Sequence, residues 1–456
     1  MLIVGGSMEK GLLEVPISKN NDAIEKNEKK CIVCGLCMRV CTDDVTVARM
    51  YEIDSLKEPI CINCGQCSNV CPTDAIREKL DYLKVKNILH NKKGKKVVFS
   101  IAPAVRVSLG ESLGYSVGTN LEGKIASILR SLGADYVFDI TFGADLTIME
   151  EAMEFVNRIK NNGVLPQFTS CCPAWVKYLE IFYPNLIPNL STTKSPIAMQ
   201  STIIKTYFAQ NNNLKPTDIV NIVVAPCTAK KSEINRSELS ITSKDTDYIL
   251  TTRELAMLIK EENIDIMKLK DSKYDSPMPR GSGAGVIFGT SGGVCEATLR
   301  TTYYFMTGKN LPKSKIIFKS VRGMEGIKEA SINIDGREIK VAVCNGMKNA
   351  KELIDKLLKK EVYYDFIEVM NCIGGCIAGG GMPKVKPHDM LDTKIARMNA
   401  LYSEDENLDL RLCHENPNII SIYENYLENP NSKIAQELLH TKYEDKSYML
   451  KDNKKD

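Results

Sequence analysis

Eight of the sixteen cysteines fall in two runs of identical spacing, Cys31-x2-Cys34-x2-Cys37-x3-Cys41 and Cys61-x2-Cys64-x2-Cys67-x3-Cys71. No other feature restricts the fold as strongly. Thiolates at this spacing hold cubane iron–sulfur clusters, and in paired runs the fourth cysteine of each ligates the other run's cluster. The spacing therefore predicts one [4Fe–4S] cluster on Cys31, Cys34, Cys37 and Cys71. The second falls to Cys61, Cys64, Cys67 and Cys41. Sixteen cysteines without a basic, apolar secretory leader at Met1-Leu-Ile-Val4 point to metal rather than disulfides, and to a cytoplasmic protein. Only four histidines are present, none in a His-x-x-x-His pair, which favours thiolate–iron chemistry over a zinc hydrolase.

The paired runs resemble those of bacterial ferredoxins, with Thr42 where proline usually follows the first run and Pro72 in place after the second. Two clusters in series move single electrons between a surface partner and something buried. They therefore imply another redox centre in the chain. A formal net charge of +3 gives no case for nucleic acid, and no apolar run approaches the roughly 18 residues of a membrane span.

Four stretches are expected. Residues 1–25 read as a loosely ordered lead-in, and 26–82 as the cluster domain. Residues 83–96, ending Asn91-Lys-Lys-Gly-Lys-Lys96, read as a basic, solvated linker. From 97 to 456 strands alternate with helices, the pattern of an α/β fold. Strands are expected at Val97–Ile101, Tyr136–Ile140, Ile222–Ala225 and Tyr363–Met370, and a helix from Leu146 to Lys160. The charged segment after about residue 387 reads as helical with a polar tail. Cysteine motifs follow two of these strands, at Pro226-Cys227 and Asn371-Cys372. There, backbone N–H groups are free to face an anionic centre.

The adjacent pair Cys171-Cys172 suits neither a disulfide framework nor two corners of one cluster. One is expected as a ligand, leaving the other free for different chemistry. The pair lies in Thr169-Ser-Cys-Cys-Pro-Ala-Trp175. With Pro226-Cys-Thr-Ala-Lys-Lys-Ser-Glu233 and Glu368-Val-Met-Asn-Cys-Ile-Gly-Gly-Cys-Ile-Ala-Gly-Gly-Gly381, it resembles the three signature stretches of [FeFe]-hydrogenases, in that family's order.

The resemblance implies a two-lobed α/β catalytic domain with an H-cluster between the lobes. A [4Fe–4S] cubane would sit on Cys172, Cys227, Cys372 and Cys376. Cys376 would bridge to a two-iron unit carrying CO, cyanide and a dithiolate bridge, installed by separate maturation proteins. Lys230 resembles the lysine that donates to a cyanide ligand, and Cys171 the family's proton-relay thiol. The relay implied beyond it runs outward through Glu154, Ser191 and Glu151 toward Arg158. Glu151, Glu154 and Arg158 are spaced to share one helix face. The implied pocket is largely apolar, formed by Ala102, Pro103, Pro196, Ala225, Phe288, Gly289, Val294 and Met370. Gly374, Gly375 and Gly379 to Gly381 would let the backbone approach the cluster.

Several positions depart from the family's usual residues: Ala174 for glycine, Ala225 for methionine, Ile197-Ala198 for a glutamine pair and Cys295 for methionine. They suggest a divergent subgroup. Cys295, Cys344 and Cys413 are expected as buried packing residues. The function implied is reversible conversion of two protons and two electrons to H2, with ferredoxin or a similar carrier as electron partner. A sensor on the same scaffold and a non-catalytic iron–sulfur assembly protein are the alternatives.

Overall fold

The computed structural model describes residues 13–451; residues 1–12 of the expected lead-in and 452–456 of the polar tail lie outside the described residues. The paired cysteine runs are held together by a two-stranded antiparallel ribbon, β1 (Ile24–Lys26) against β2 (Ile76–Glu78). Helices Leu36–Asp43 and Gln66–Val70 each start from a left-handed glycine, Gly35 and Gly65, so the internal repeat is structural as well as sequential.

Residues 13–25 are not loose. Val15, Ala23 and Ile24 bury against Cys37 and Cys67, and the Val15 amide donates to Cys37 Sγ at 3.4 Å. Nor is 83–96 a solvated linker. Residues Tyr82–His90 form a helix that buries Val85 and Leu89 against the larger domain that follows it. Its lysines are spoken for: Lys86 pairs with Glu261 and Glu262, and Lys92 with Asp135. The charge obscured an i,i+4 apolar pair that sets the secondary structure.

The larger domain is built on two four-stranded sheets. Its strands are β3 (Lys96–Ile101), β4 (Tyr136–Asp139), β5 (Gln167–Phe168), β6 (Ile219–Ala225), β7 (Tyr248–Thr251), β8 (Ile327–Ile334), β9 (Arg337–Asn345) and β10 (Phe366–Met370). One sheet has the order β4-β3-β6-β7 and is wholly parallel. Its strands are nearly continuous apolar runs because both faces are covered; all seven residues of β6 are buried. The other has the order β5-β10-β9-β8, parallel except for the β8–β9 hairpin, which turns at Asp335-Gly336 with positive φ at both.

The carboxyl ends of β3, β5, β6 and β10 feed Ala102-Pro103, Ser170-Cys171, Pro226-Cys227 and Asn371-Cys372. Ligand sites in parallel sheets form outside such strand ends, and here two sheets contribute them. Helix Ile140–Lys160 starts six residues before the sequence expectation, capped where Asp139 accepts from the Thr141 amide at 3.0 Å. Among the described residues, no helix is long and apolar enough to cross a membrane.

Candidate metal centres and proton path

In the N-terminal domain the fold brings together the thiols that the spacing paired. Cys31, Cys34, Cys37 and Cys71 line one cavity. Cys41 crosses over to lie within electrostatic reach of Cys61 and Cys67, and Cys64 is close to both Cys61 and Cys67. Backbone amides point at these sulfurs: Asn63 N–H to Cys61 at 3.3 Å and Ile76 N–H to Cys71 at 3.4 Å. Among the described residues, no group of three or more Cys, His, Asp or Glu side chains is placed to hold a single ion.

The second assembly lies where the strand ends of the two sheets meet. A cavity there is walled by Cys171, Cys172, Cys227, Cys372, Cys376 and Lys230 together with Ala102, Pro103, Pro196, Ile197, Ala225, Phe288, Gly289 and Met370. Every pocket residue expected from the sequence lines it except Val294. That residue is fully buried in the first turn of helix Gly293–Thr307. The amides of Gly292 and Cys295, at 2.6 and 2.8 Å, and that of Val294 all hydrogen-bond Glu368, a carboxylate at a helix N-terminus. Val294 therefore packs behind the wall. Of the divergent positions, Ala225 and Ile197 line the cavity, while Ala174 and Cys295 are buried behind it.

Burial pushes the thiols of Cys227 and Cys372 up to about 12, and that of Cys376 upward too. Thiols buried side by side are poor thiolates in the absence of positive charge, and cluster irons supply it. The cavity's four converging sulfurs and its apolar wall fit a cubane with an attached metal unit.

The glycine-rich turn after β10 does something more specific than expected. A Cβ on Gly379 would stand 2.3 Å from Pro226 O, and one on Gly380 2.3 Å from Cys64 O. These glycines bring three cysteine loops into backbone contact. Cys372 is thereby placed beside the N-terminal domain, where Gln66 Nε2 lies 3.0 Å from Cys372 Sγ and 2.9 Å from Ala378 O.

Lys230 follows Cys227 in the short helix Ala229–Glu233. Its Nζ is 2.8 Å from both Glu233 oxygens and 3.2 Å from Cys171 O, and Ser195 Oγ donates to Glu233 at 3.1 Å. Glu233 was not singled out in the sequence, although its i,i+3 spacing from Lys230 on a helix was legible.

The residues expected to form a proton path lie near one another, with the two glutamates in the reverse of the expected order. Glu151 is the inner one. Its carboxyl is the largest charged influence on the Cys171 thiol, which burial and then this carboxyl push up. Glu151 is itself raised to about 8 by burial and then by Glu154. Ser191 partly opposes that rise, and Glu151 Oε2 is buried without a partner. Ser191 Oγ donates to Glu154 Oε2 at 3.1 Å, and Glu154 Oε1 accepts from Arg158 at 2.6 Å. The chain thus runs Cys171, Glu151, Ser191, Glu154, Arg158. The spacing showed a shared helix face but not which end faces the cavity.

The comparisons agree with this geometry. The family "Iron only hydrogenase large subunit, C-terminal domain" matches residues 95–380, "Iron hydrogenase small subunit" residues 391–446, and "4Fe-4S binding domain" residues 58–77. The chain is 42% identical to Iron hydrogenase 1 of Clostridium pasteurianum over 443 residues, 94% of this chain and 77% of that protein. A solved [FeFe]-hydrogenase HydA1 from Chlamydomonas reinhardtii superposes with a TM-score of 0.72 at 39% identity, covering 80% of this chain and 99% of that one. A more distant relative is the cytosolic iron–sulfur assembly component 3 of Bos taurus, 29% identical over 76% of this chain and 74% of that protein. The cofactors that go with the matched families are [4Fe–4S] clusters and the H-cluster. With two converging sheets, a cysteine-walled cavity between them and a cluster domain docked on its rim, the chain belongs to the [FeFe]-hydrogenase family.

Proposed function

We propose that this protein interconverts two protons and two electrons with H2, exchanging electrons with ferredoxin or a similar one-electron carrier. The observation that carries the reading is the single apolar cavity walled by Cys172, Cys227, Cys372 and Cys376 together with Cys171 and Lys230. Cys172, Cys227, Cys372 and Cys376 would hold the cubane, and Cys376 the bridge to the two-iron unit. When bound, the H-cluster supplies the metal site at which protons and electrons combine.

The chain's own residues do the remaining work. The wall of Ala102, Pro103, Pro196, Phe288 and Met370 excludes water, which strengthens the few polar contacts inside. Lys230, fixed by Glu233, presents an ammonium to the cavity. Cys171 hands protons between the cavity and Glu151. Ser191 connects Glu151 to Glu154, whose charge Arg158 holds. A carboxyl poised near 8 both gives and takes a proton at neutral pH, as a relay group must. Cys31, Cys34, Cys37 and Cys71 would hold one [4Fe–4S] cluster and Cys61, Cys64, Cys67 and Cys41 the other, and such clusters supply one-electron transfer. Gln66 and Gly65 sit at the junction with Cys372 and Thr228.

The experiment is infrared spectroscopy of the matured protein with H2 assayed in both directions. CO and cyanide bands with H2 turnover support the reading; absence of the bands rejects it. The assembly-protein alternative draws on the likeness to the Bos taurus protein. Iron counting separates the two, because cubanes without a two-iron unit favour that alternative.

A further inference from the structure

Arg158 cannot be the end of a proton path. Its guanidinium donates to Glu154 and to the carbonyls of Val164, Pro188, Asn189 and Leu190. A guanidinium also does not titrate. The outer glutamate, however, has a second set of contacts. Glu154 Oε2 accepts from Ser191 Oγ at 3.1 Å, from the Thr192 amide at 2.9 Å and from Thr192 Oγ1 at 3.1 Å. Thr192 is exposed to solvent, and its hydroxyl also contacts His440 Nδ1 at 2.7 Å. His440 Nε2 is 3.0 Å from Glu150 Oε2.

Glu150 is fully buried on the same helix as the relay glutamates, and among the described residues His440 is the only basic side chain paired with it. Its carboxylate also accepts from Tyr423 Oη at 2.5 Å and from the Asn431 amide at 2.7 Å. His440 arrives from the C-terminal segment. It is pinned by a bridge to Thr193 and by backbone bonds from Lys194 to Leu439 and from Thr441 to Thr192. Of the other charged groups nearby, the Lys194 ammonium turns away to Thr202, and Arg158 stays on the far oxygen of Glu154.

One proton assignment joins all these groups into a continuous chain. Ionised Glu154 accepts the Thr192 hydroxyl proton, so Thr192 Oγ1 accepts from His440 Nδ1–H. Ionised Glu150 accepts His440 Nε2–H. Both ring nitrogens then carry protons, and the ring is an imidazolium. Transfer inward is a two-proton hop: His440 Nδ1–H moves to Thr192 Oγ1 as the Thr192 hydroxyl proton moves to Glu154 Oε2. Neutral His440 keeps its Nε2–H bond to Glu150, and water at the exposed Thr192 face restores the lost proton. Imidazole is the side chain whose ordinary protonation range spans neutral pH.

We propose that His440 is the proton-loading group at the outer mouth of the path, held in place by Glu150 and joined to Glu154 through Thr192. This rests on the relay reading of Glu151 and Glu154 but is tested without hydrogen turnover. The chain has only four histidines. In full-length protein carrying its iron–sulfur clusters and labelled at histidine, the His440 ring signal is assigned by its loss in His440→Gln and titrated by NMR. The expected result is a titration between pH 5 and 9. Its midpoint falls by at least half a unit in Glu150→Gln and shifts measurably in Glu154→Gln. A His440 signal that does not titrate, or one indifferent to Glu154→Gln, overturns the proposal.

In matured protein, His440→Gln is expected to keep the CO and cyanide bands and lower H2 evolution several-fold. It should also flatten the pH profile between 6 and 8, with partial rescue by added imidazole. A profile that superposes on the parent's overturns the proposal. A parent without the infrared bands rejects the hydrogenase reading and leaves the NMR test to decide this one.

Discussion

Gln66 Nε2 donates to Cys372 Sγ across 3.0 Å, although the two residues are 306 positions apart. The donor sits between Cys64 and Cys67 in the N-terminal cluster domain, and the acceptor is a proposed ligand of the catalytic cubane. A hydrogen bond to a cluster sulfur stabilises the more reduced, more negative state and raises the reduction potential. Gln66→Leu is therefore expected to lower the potential of the cubane while leaving the two N-terminal clusters nearly unchanged. EPR-monitored redox titration measures this. Identical cubane potentials in the two proteins would show that the amide does not bear on the cluster.

Cys171 and Cys172 are adjacent in the chain but are assigned different work. Cys172 would fix the cubane, and Cys171, beside Glu151, would carry protons. Cys171→Ala should retain full iron content and the infrared bands while lowering turnover about 10²–10⁴-fold, the usual worth of a positioned proton donor. Cys172→Ala should lose the cubane itself, seen as a loss of iron and of its EPR signal. The opposite pattern would mean that the two roles are reversed.

How much of this could be read from the sequence follows from the range of each interaction. The N-terminal cysteine sets were legible because local turn spacing and a repeated motif fix them. That Lys230, Cys172, Cys227, Cys372 and Cys376 share one cavity was legible because each sits in a short family-like motif after a strand. The order of Glu151 and Glu154 was not: residues three apart share a helix face whichever end of the helix points inward. Gln66 and His440 were hidden for another reason. Their partners lie 306 and 248 residues away, and no local pattern marks them. The helix at Tyr82–His90 was missed because the lysine run just after it, Lys92 to Lys96, dominated the reading of the whole stretch.

Lys230 and Glu233 form a buried ion pair, 7% and 6% exposed. Removing one partner leaves an uncompensated buried charge, which costs about 3–5 kcal/mol. Lys230→Met should lower the denaturant midpoint substantially in protein that carries only cubanes. The double variant Lys230→Met/Glu233→Gln should recover much of the loss. A single variant as stable as the parent would show that the pair is already solvated.

Glu151 gives a pH dependence of definite sign. Burial and Glu154 raise it from 4.5 to about 8, so the folded protein holds this proton more tightly than the unfolded chain does. The stabilisation is fully present below about pH 4.5 and is lost as pH rises toward 8. Glu151→Gln, which stays neutral, should remove that downward slope between pH 5 and 8. Denaturant unfolding at several pH values measures it. Parallel profiles for the two proteins would place Glu151 in a wetter setting than its burial implies.

Gly65 is where the electron-carrying domain meets the catalytic loops. Its φ of +70° is left-handed, and an added Cβ would stand 2.4 Å from Thr228 Oγ1 and 3.1 Å from Gly380 Cα. The substitution thus meets backbone strain and a clash with the residue following Cys227 together. Gly65→Ala should leave all four ligands of the neighbouring cluster in place but push its loop off Thr228, lengthening the gap that electrons cross. Cluster content should be retained. The electron transfer rate from the N-terminal clusters to the cubane, measured by flash reduction, should fall several-fold. Gly94, whose Cβ would meet nothing within 4 Å, is the control: Gly94→Ala carries strain at φ +79° without the clash and should leave that rate unchanged. An equal loss in both variants would trace the effect to general destabilisation, and an unchanged rate in Gly65→Ala would mean that electrons do not pass through this contact.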